Sequence, residues 1–492
     1  MLCGLLAQII GFVKLLLIAR YFGISAELDG YYLALAVPAV VQGFITGAVQ
    51  TGFVPIYISL RTDGSNAAAQ SLASALFLRL LMFLLGLSLL LSLFSGPLMV
   101  WLTPVSSEVV QNAAAASFAI LAFSVLANGL IDYFSLLLNA HHRYVAAALG
   151  PAVNATVSSL IFFAWPEWGI DNLVWGLVTG MVLQLLIALV ACHHSGIHLN
   201  LLSSGWRHDA LKRVYQLTLP ILLGVALANA NNAVIQFFSA VTGDGGVSTL
   251  GYANRLHGAF LQVVIMGVSA FLLPNFSGLS ASGKHHEIHA ILLQTFRLSL
   301  LVAIIMLIAI ATLGNDVITL LLQRGRFDQQ AVENVAFIWL IYTIALLPIA
   351  WGIFIAKYFQ AVQKPWIITR LAVLSFTSNT VLAWVLVHTH GLAGLAVASG
   401  LSYMLVAIGY HRAATRDLGK PLLRGMIRPI VVMLLIGIAG GALMMKVQAL
   451  VAPLSLPARL AVASSLLLVL SIVMAWQAGF LKPLWSRTET TH

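Results

Sequence analysis

Charge is scarce in this sequence. Of 492 residues only 8% are Asp, Glu, Lys or Arg, against roughly a quarter in soluble domains. A soluble chain of this length would divide into several domains, each needing a polar exterior. The 25 basic and 15 acidic residues cannot coat such surfaces. That excludes a secreted enzyme, a cytosolic enzyme and a nucleic-acid-binding domain. Cysteine is scarcer still. Cys3 and Cys192 lie in or beside apolar runs, with no disulfide framework and no CxxC metal spacing, so both read as small core residues. No Walker loop, Rossmann fingerprint, zincin helix or Ser-His-Asp arrangement occurs. The chain therefore reads as no enzyme and as needing no cofactor. Any active transport would draw on membrane potential, an ion gradient or the substrate's own gradient.

What the sequence has is apolar length. Hydrophobic residues make up 60%, and the mean hydropathy is +0.98. A spanning helix needs about 20 mostly apolar residues. Fourteen segments qualify: 2–22, 30–59, 71–103, 112–140, 144–165, 170–192, 213–242, 248–278, 289–322, 329–362, 365–388, 391–411, 425–448 and 456–481. The first carries Lys14 and Arg20, unlike a signal h-region, and reads as a retained helix. With the N-terminus in the cytoplasm, fifteen basic residues of the connections and C-terminus fall inside. Five fall outside: Arg20, Arg324, Arg326, Lys446 and Arg459. The bias predicts fourteen crossings with both termini cytoplasmic, and the +10 net charge is read as topology.

The halves echo each other. Gly30-Tyr31 recurs as Gly251-Tyr252, Val54-Pro55 as Leu273-Pro274, Asn139-Ala140 as Gln360-Ala361, and Gly180 as Gly400. The shifts are 219 to 221 residues and span six segments, an even number, so the repeats are parallel. The expected fold is an all-α polytopic membrane protein. An N-lobe spans 1–196, a cytoplasmic linker 197–212 and a C-lobe 213–415. Residues 416–492 hold two extra helices and a cytoplasmic C-terminus. Duplicated bundles bind substrate between their lobes, which favours a transporter.

Ionisable groups inside the membrane usually line cavities. Lys14 and Arg255 are the deepest cations; Arg79, Arg297 and Lys357 lie near cytoplasmic helix ends and can snorkel. Asp132, central in the fourth segment, reads as a counter-ion or a coupling-ion ligand. Gln42, Thr46 and Gln50 share one helical face. Asn229, Asn231 and Asn232 follow in the seventh segment, and Asn254 adjoins Arg255. These polar groups read as interhelical glue or as the wall of a cavity for a hydroxyl-rich substrate. The histidine groups His141-His142, His193-His194-His198 and His285-His286-His289 fall in cytoplasmic connections and read as solvated, not as a metal site.

The run Gly11-Phe12-Val13-Lys14, Ile18-Ala19-Arg20-Tyr21-Phe22-Gly23, Asp29-Gly30-Tyr31-Tyr32, Val37-Pro38 and Phe53-Val54-Pro55 resembles the start of the MurJ/MviN lipid II flippases. Tyr252-Ala253-Asn254-Arg255-Leu256 with Leu272-Leu273-Pro274 resembles that family's eighth helix. Leu322-Gln323-Arg324-Gly325-Arg326-Phe327 resembles its short outer motif. The resemblance covers essentially the whole chain. It implies membership of the multidrug/oligosaccharidyl-lipid/polysaccharide exporter superfamily and a place in the bacterial inner membrane. It also implies a cationic cavity for a pyrophosphate and a groove of the last two helices for a polyprenyl tail.

The chain departs from the family pattern where that pattern has arginines: at Gln8, at Lys14 and at the pair Gln42-Gly43. It also departs at Leu15, where the family has an aspartate, and near Thr46, where it has a glutamate. Lysine cannot reproduce a bidentate guanidinium clamp on phosphate. Two cargoes stay open, lipid II and another lipid-linked oligosaccharide. The candidate substrate-binding set is Gln8, Lys14, Asp29, Gln42, Thr46, Gln50, Asn254 and Arg255, with Asp132 as the coupling or counter-ion site. Expected partners are a polyprenyl-pyrophosphate-linked glycan, membrane lipid and glycan-synthesis machinery. The alternatives are an ion-coupled small-molecule exporter and a transport-incompetent scaffold.

Overall fold

The computed structural model describes residues 2–104, 106–197, 199, 209–423 and 427–477. His198, Arg207, Arg424, Lys482, Arg487 and most of the 197–212 linker lie outside them, as does the side chain of Cys3. Among the described residues the regular elements are all helical, as lipid demands of a chain that must satisfy its own backbone groups. Nine helical stretches among the described residues are long and apolar enough to cross a membrane, or ten counting one bent pair. Within the described residues the fourteen apolar segments lie mainly on helices.

The chain packs as two compact units, Met1–Ser248 with Arg324–Phe327, and Thr249–Gln323 with Asp328–His492. The first holds α1 (Leu2–Phe22), α2 (Ala26–Ala48), α3 (Val54–Thr62), α4 (Asn66–Leu93), α5 (Ser95–Leu102), α6 (Glu108–Leu121), α7 (Phe123–Ala140), α8 (Tyr144–Ala164), α9 (Ile170–His194) and α10 (Asp209–Ala240). Ser25 and Ser107 cap α2 and α6, accepting from the amides of Leu28 and Val110 at 3.4 Å. The predicted single helix over 30–59 is instead interrupted by a π turn at Val49–Phe53. Pro55 supplies the physical reason. It has no N–H to give and its ring crowds the carbonyl four residues back, so the Val54 amide bonds Val49 in the wider π pattern. A core of Phe53, Tyr57, Leu72, Tyr133 and Phe134 closes around this turn. Buried Cys192 joins it as a small core residue.

The second unit holds α11 (Gly246–Ala281) beyond its first turn, α12 (His285–Leu322), α13 (Gln329–Ile344), α14 (Leu346–Ala361), α15 (Pro365–Leu418), α16 (Ile427–Val451) and α17 (Leu456–Gln477). Segments 365–388 and 391–411 are the two arms of α15, separated only by Gly391 at φ 55°. Helix α16 presents Gly437 and Gly441 to Ile304 and Ile308 of α12, and Gly440 to Leu470 of α17. Small residues at that spacing let helices approach closely where lipid offers no hydrophobic drive.

The repeat is legible in the backbone. Left-handed residues recur in five pairs: Gly23 and Gly245, Gly64 and Gly283, His142 and Gln363, Gly169 and Gly391, Gly196 and Gly419. Their separations of 219 to 223 residues match the shift between the sequence halves. The break between α6 and α7 likewise recurs between α13 and α14, which bend by 44°. The packing boundary, however, does not follow the lobe boundary drawn at 213. Helix α10 opens the second repeat but packs on α2 and the π turn of the first unit. Gly52 makes that approach possible, lying against Thr218 and the Val214 carbonyl of α10.

The outer motif Arg324–Phe327 also joins the first unit. The Arg326 amide donates to the Arg20 carbonyl at 3.0 Å. Gly23 and Gly325, both at positive φ, face the backbones of Arg326 and Arg20. A Cβ at either would meet a carbonyl oxygen as well as left-handed strain. Gly23→Ala is expected to cost about 1–3 kcal/mol, seen as a lower melting temperature of the purified protein. An unchanged melt would remove the steric account of this junction.

Candidate functional site

In the first unit, polar groups converge between α2 and α7. Gln42 Nε2 donates to Asp132 Oδ2 at 3.3 Å. The Thr46 hydroxyl also bonds that oxygen, and sits 3.0 Å from the Gln42 carbonyl of the preceding turn. Gln42 and Thr46 are four residues apart on one face, so a single carboxylate reaches both. Gln50, predicted to continue that face, falls on the π turn and stays exposed. Asp132 therefore has two neutral donors on α2 as its hydrogen-bond partners.

On the neighbouring side of α2, the Asn229 amide of α10 lies where a Cβ on Gly43 would stand. Glycine is thus the residue that admits α10 here, and an arginine at 43 would collide with Asn229. Lys14 is half-buried on α1, beside the buried Leu15. Gln8 is exposed six residues earlier, about 120° round the helix from Lys14.

Asp29 requires a correction. It is 1% exposed. Its two oxygens accept the backbone amides of Gly245 at 2.7 Å and Ser248 at 2.6 Å. A carboxylate placed on the unsatisfied amides at the start of a helix is a cap. Asp29 is committed to the entry of α11 and not to a substrate.

In the second unit, Asn254 and Arg255 are exposed on α11, while Tyr252, Ala253, Leu256 and His257 are buried. Arg255 therefore points away from the core of its own unit. His257 packs at a tilt against Tyr342 with ring centroids 5.7 Å apart, and Phe260 stacks on Trp339 at 5.7 Å. Sequence reading passed over His257, whose neighbours in the chain gave no sign of its burial.

It also passed over Asp316. This residue is 7% exposed on α12 and pairs with Arg459 of α17 at 3.0 Å. Gln448 of α16 lies 3.5 Å from its other oxygen. A lone acidic residue in a long apolar segment was the available signal. The pair ties both C-terminal helices to α12. Arg459→Gln leaves Asp316 without its cation and is expected to cost about 1–3 kcal/mol. A double-mutant cycle with Asp316→Asn, read by thermal unfolding, should show strong coupling; additive effects would dismiss the tie.

The histidine groups differ from expectation at one position. His141 is half-buried and its Nε2 lies 2.7 Å from the Tyr57 hydroxyl. Burial, with Arg61 beside it, pushes its pKa down to about 4, so it is neutral at pH 7. Arg61 itself donates to the Ala140 carbonyl at 2.7 Å. His142 pairs with Tyr144 at 2.9 Å, and His193 and His194 are exposed. Among the described residues no group of three or more His, Cys, Asp or Glu side chains is placed to hold a metal.

Comparison with known proteins agrees with this architecture. A family model described as lipid II flippase MurJ matches residues 18–484. The probable lipid II flippase MurJ of Bdellovibrio bacteriovorus is 26% identical over 82% of this chain and 78% of its own length. The lipid II flippase MurJ of Burkholderia cenocepacia is 25% identical, over 83% and 82%. The solved structure of a lipid II flippase MurJ in an inward closed conformation superposes with a TM-score of 0.80, covering 96% of this chain and 98% of its own at 18% identity. An inward-facing multidrug-resistance MATE transporter follows at 0.71, covering 85% and 94% at 14% identity.

Proposed function

The chain belongs to the MurJ lipid II flippase family, and we propose that it carries lipid II from the cytoplasmic to the outer leaflet of a bacterial inner membrane. The observation that carries this reading is the family match over residues 18–484. Alternating access around a central site suits a duplicated bundle. In this reading Lys14 and Arg255 receive the pyrophosphate, one from each repeat. The polar surface of Gln42, Thr46, Asp132 and Asn229 faces the hydroxyl-rich sugars. Helices α16 and α17, which have no counterpart in the repeat, receive the polyprenyl tail. Membrane potential or an ion gradient drives the cycle, with both termini in the cytoplasm; the basic bias of the connections supports that orientation.

A second cargo is favoured by one observation. The Asn229 side chain leaves no room for a side chain at position 43, and a surface without a cation there suits a lipid-linked oligosaccharide other than lipid II. Cells depleted of their own lipid II flippase separate the two. Rescue of growth by this chain is the expected result. Failure to rescue, with the protein present in the membrane, would overturn lipid II as cargo and leave the other glycan.

A further inference from the structure

The first unit carries a cavity of about 580 Å³ on the face of α2 opposite the Gln42–Thr46–Asp132 cluster. Helix α2 contributes Val41, Phe44, Ile45 and Ala48, and α4 and α10 form the other walls. Along α4 the lining runs from Leu76 to Leu87, a length of about 16 Å at the α-helical rise. Phe44, Phe83 and Tyr215 are exposed at its margin, so the space opens sideways, towards lipid in a spanning protein. The wall is apolar except for Arg79, Tyr215 and Thr218. Arg79 Nη1 donates to the Tyr215 hydroxyl at 3.3 Å. Thr218 turns its hydroxyl back to the Val214 carbonyl of its own helix, at 2.8 Å.

The described charged residues at this groove are basic. Lys212 and Arg213 are exposed on α10 within a turn of Tyr215, and among the described residues no carboxylate lines the cavity. Arg79 lies eight residues from Ser71, where the apolar part of α4 begins. That is about 12 Å along the helix, within reach of the headgroup level for a side chain that snorkels. A guanidinium bordering an apolar slot matches a phosphodiester joined to an alkyl chain. The slot holds one acyl chain and is much shorter than a polyprenyl tail.

We propose that this groove is a binding site for an anionic phospholipid, one acyl chain lying among Phe44, Phe83 and Leu222 and the phosphate meeting Arg79 and Tyr215. Lys212 and Arg213 add attraction for the negative headgroup. The groove also touches Val49 and Phe53 of the π turn. A seated lipid therefore braces α4 and α10 against the one irregular turn of the α2–α3 stretch. This site is independent of the cargo assigned above.

The test is native mass spectrometry of the delipidated full chain, titrated with phosphatidylglycerol or with phosphatidylcholine of the same acyl chains. The unmodified protein should retain phosphatidylglycerol about fivefold or more over phosphatidylcholine. Arg79→Gln should abolish that preference. Arg297→Gln, a membrane-embedded cation of the second unit, should leave it intact. Leu87→Trp, which fills the groove and spares Arg79, should lower retention of both lipids and keeps the test open if Arg79→Gln does not fold. Undiminished preference in a folded Arg79→Gln protein, or undiminished retention in Leu87→Trp, would overturn the site. Displacement of phosphatidylglycerol by an equal amount of polyprenyl phosphate would overturn the phospholipid as occupant and make the groove a second tail site.

Discussion

Lys14→Ala and Arg255→Ala should each lower lipid flipping at least tenfold, and Lys14→Arg should retain it. A phosphate held in a partly desolvated cavity gains about 1.5–3 kcal/mol from each charged donor. About 1.4 kcal/mol is tenfold in binding. The two residues come from different repeats and do not correspond under the repeat shift, Lys14 lying on α1 and Arg255 on α11; because both meet one pyrophosphate in this reading, the double variant should lose less than the product of the single losses. Arg255 is exposed on α11, which makes its removal mild for folding and its transport defect interpretable. Lys14 is half-buried, so its variants need a check of expression and monodispersity. Lys14→Arg tests whether this chain accepts the guanidinium that the family pattern has at that position. Asp132→Asn should be milder than either, because Gln42 and Thr46 retain an oxygen to bond. If both alanine variants are well expressed and fully active in reconstituted vesicles, the pyrophosphate clamp is wrong.

Asp29→Ala should produce the largest loss of stability. It removes the acceptor for two buried backbone amides, those of Gly245 and Ser248. Each orphaned buried donor costs about 1–3 kcal/mol, and the start of α11 loses the negative charge that its amides favour. A fall of roughly 5–15 °C in melting temperature follows from that range. Asp29→Asn keeps one acceptor oxygen and should fall between. The activity of the molecules that remain folded should be close to that of the parent, because the carboxylate touches backbone and not cargo. An Asp29→Ala protein that melts like the parent yet fails to transport would reverse the assignment and return Asp29 to the substrate set.

Those two residues illustrate how the sequence misleads and informs. Asp29 and Lys14 look alike in the chain, each an ionisable group in or beside an apolar segment within a family-like motif. Their difference lies in partners more than 200 residues away for Asp29, which no local pattern exposes. Gln42 and Thr46 behaved as their four-residue spacing requires, because helical periodicity is local. Gln50 did not, because a proline five positions later redirects the hydrogen bonding of its turn.

The sequence by itself determined the lipid environment, the helical class, the position of the apolar segments within the described residues and the repeat between the halves. Each follows from composition or from spacing, and the bilayer leaves helices as the way to satisfy such backbones. It also marked Lys14 and Arg255 as candidate cations, because charge within an apolar segment is costly. Only the tertiary structure decided that α10 sides with the first unit, that Asn229 occupies the space over Gly43, and that Asp316 ties α16 and α17 to α12. The same holds for the cavity beside Arg79. These features depend on which helix faces meet. In a chain where 60% of residues are hydrophobic, apolar faces alone hardly distinguish one neighbour from another. Glycines and single polar side chains then select the partner, through close approach and through hydrogen bonds that lipid cannot replace.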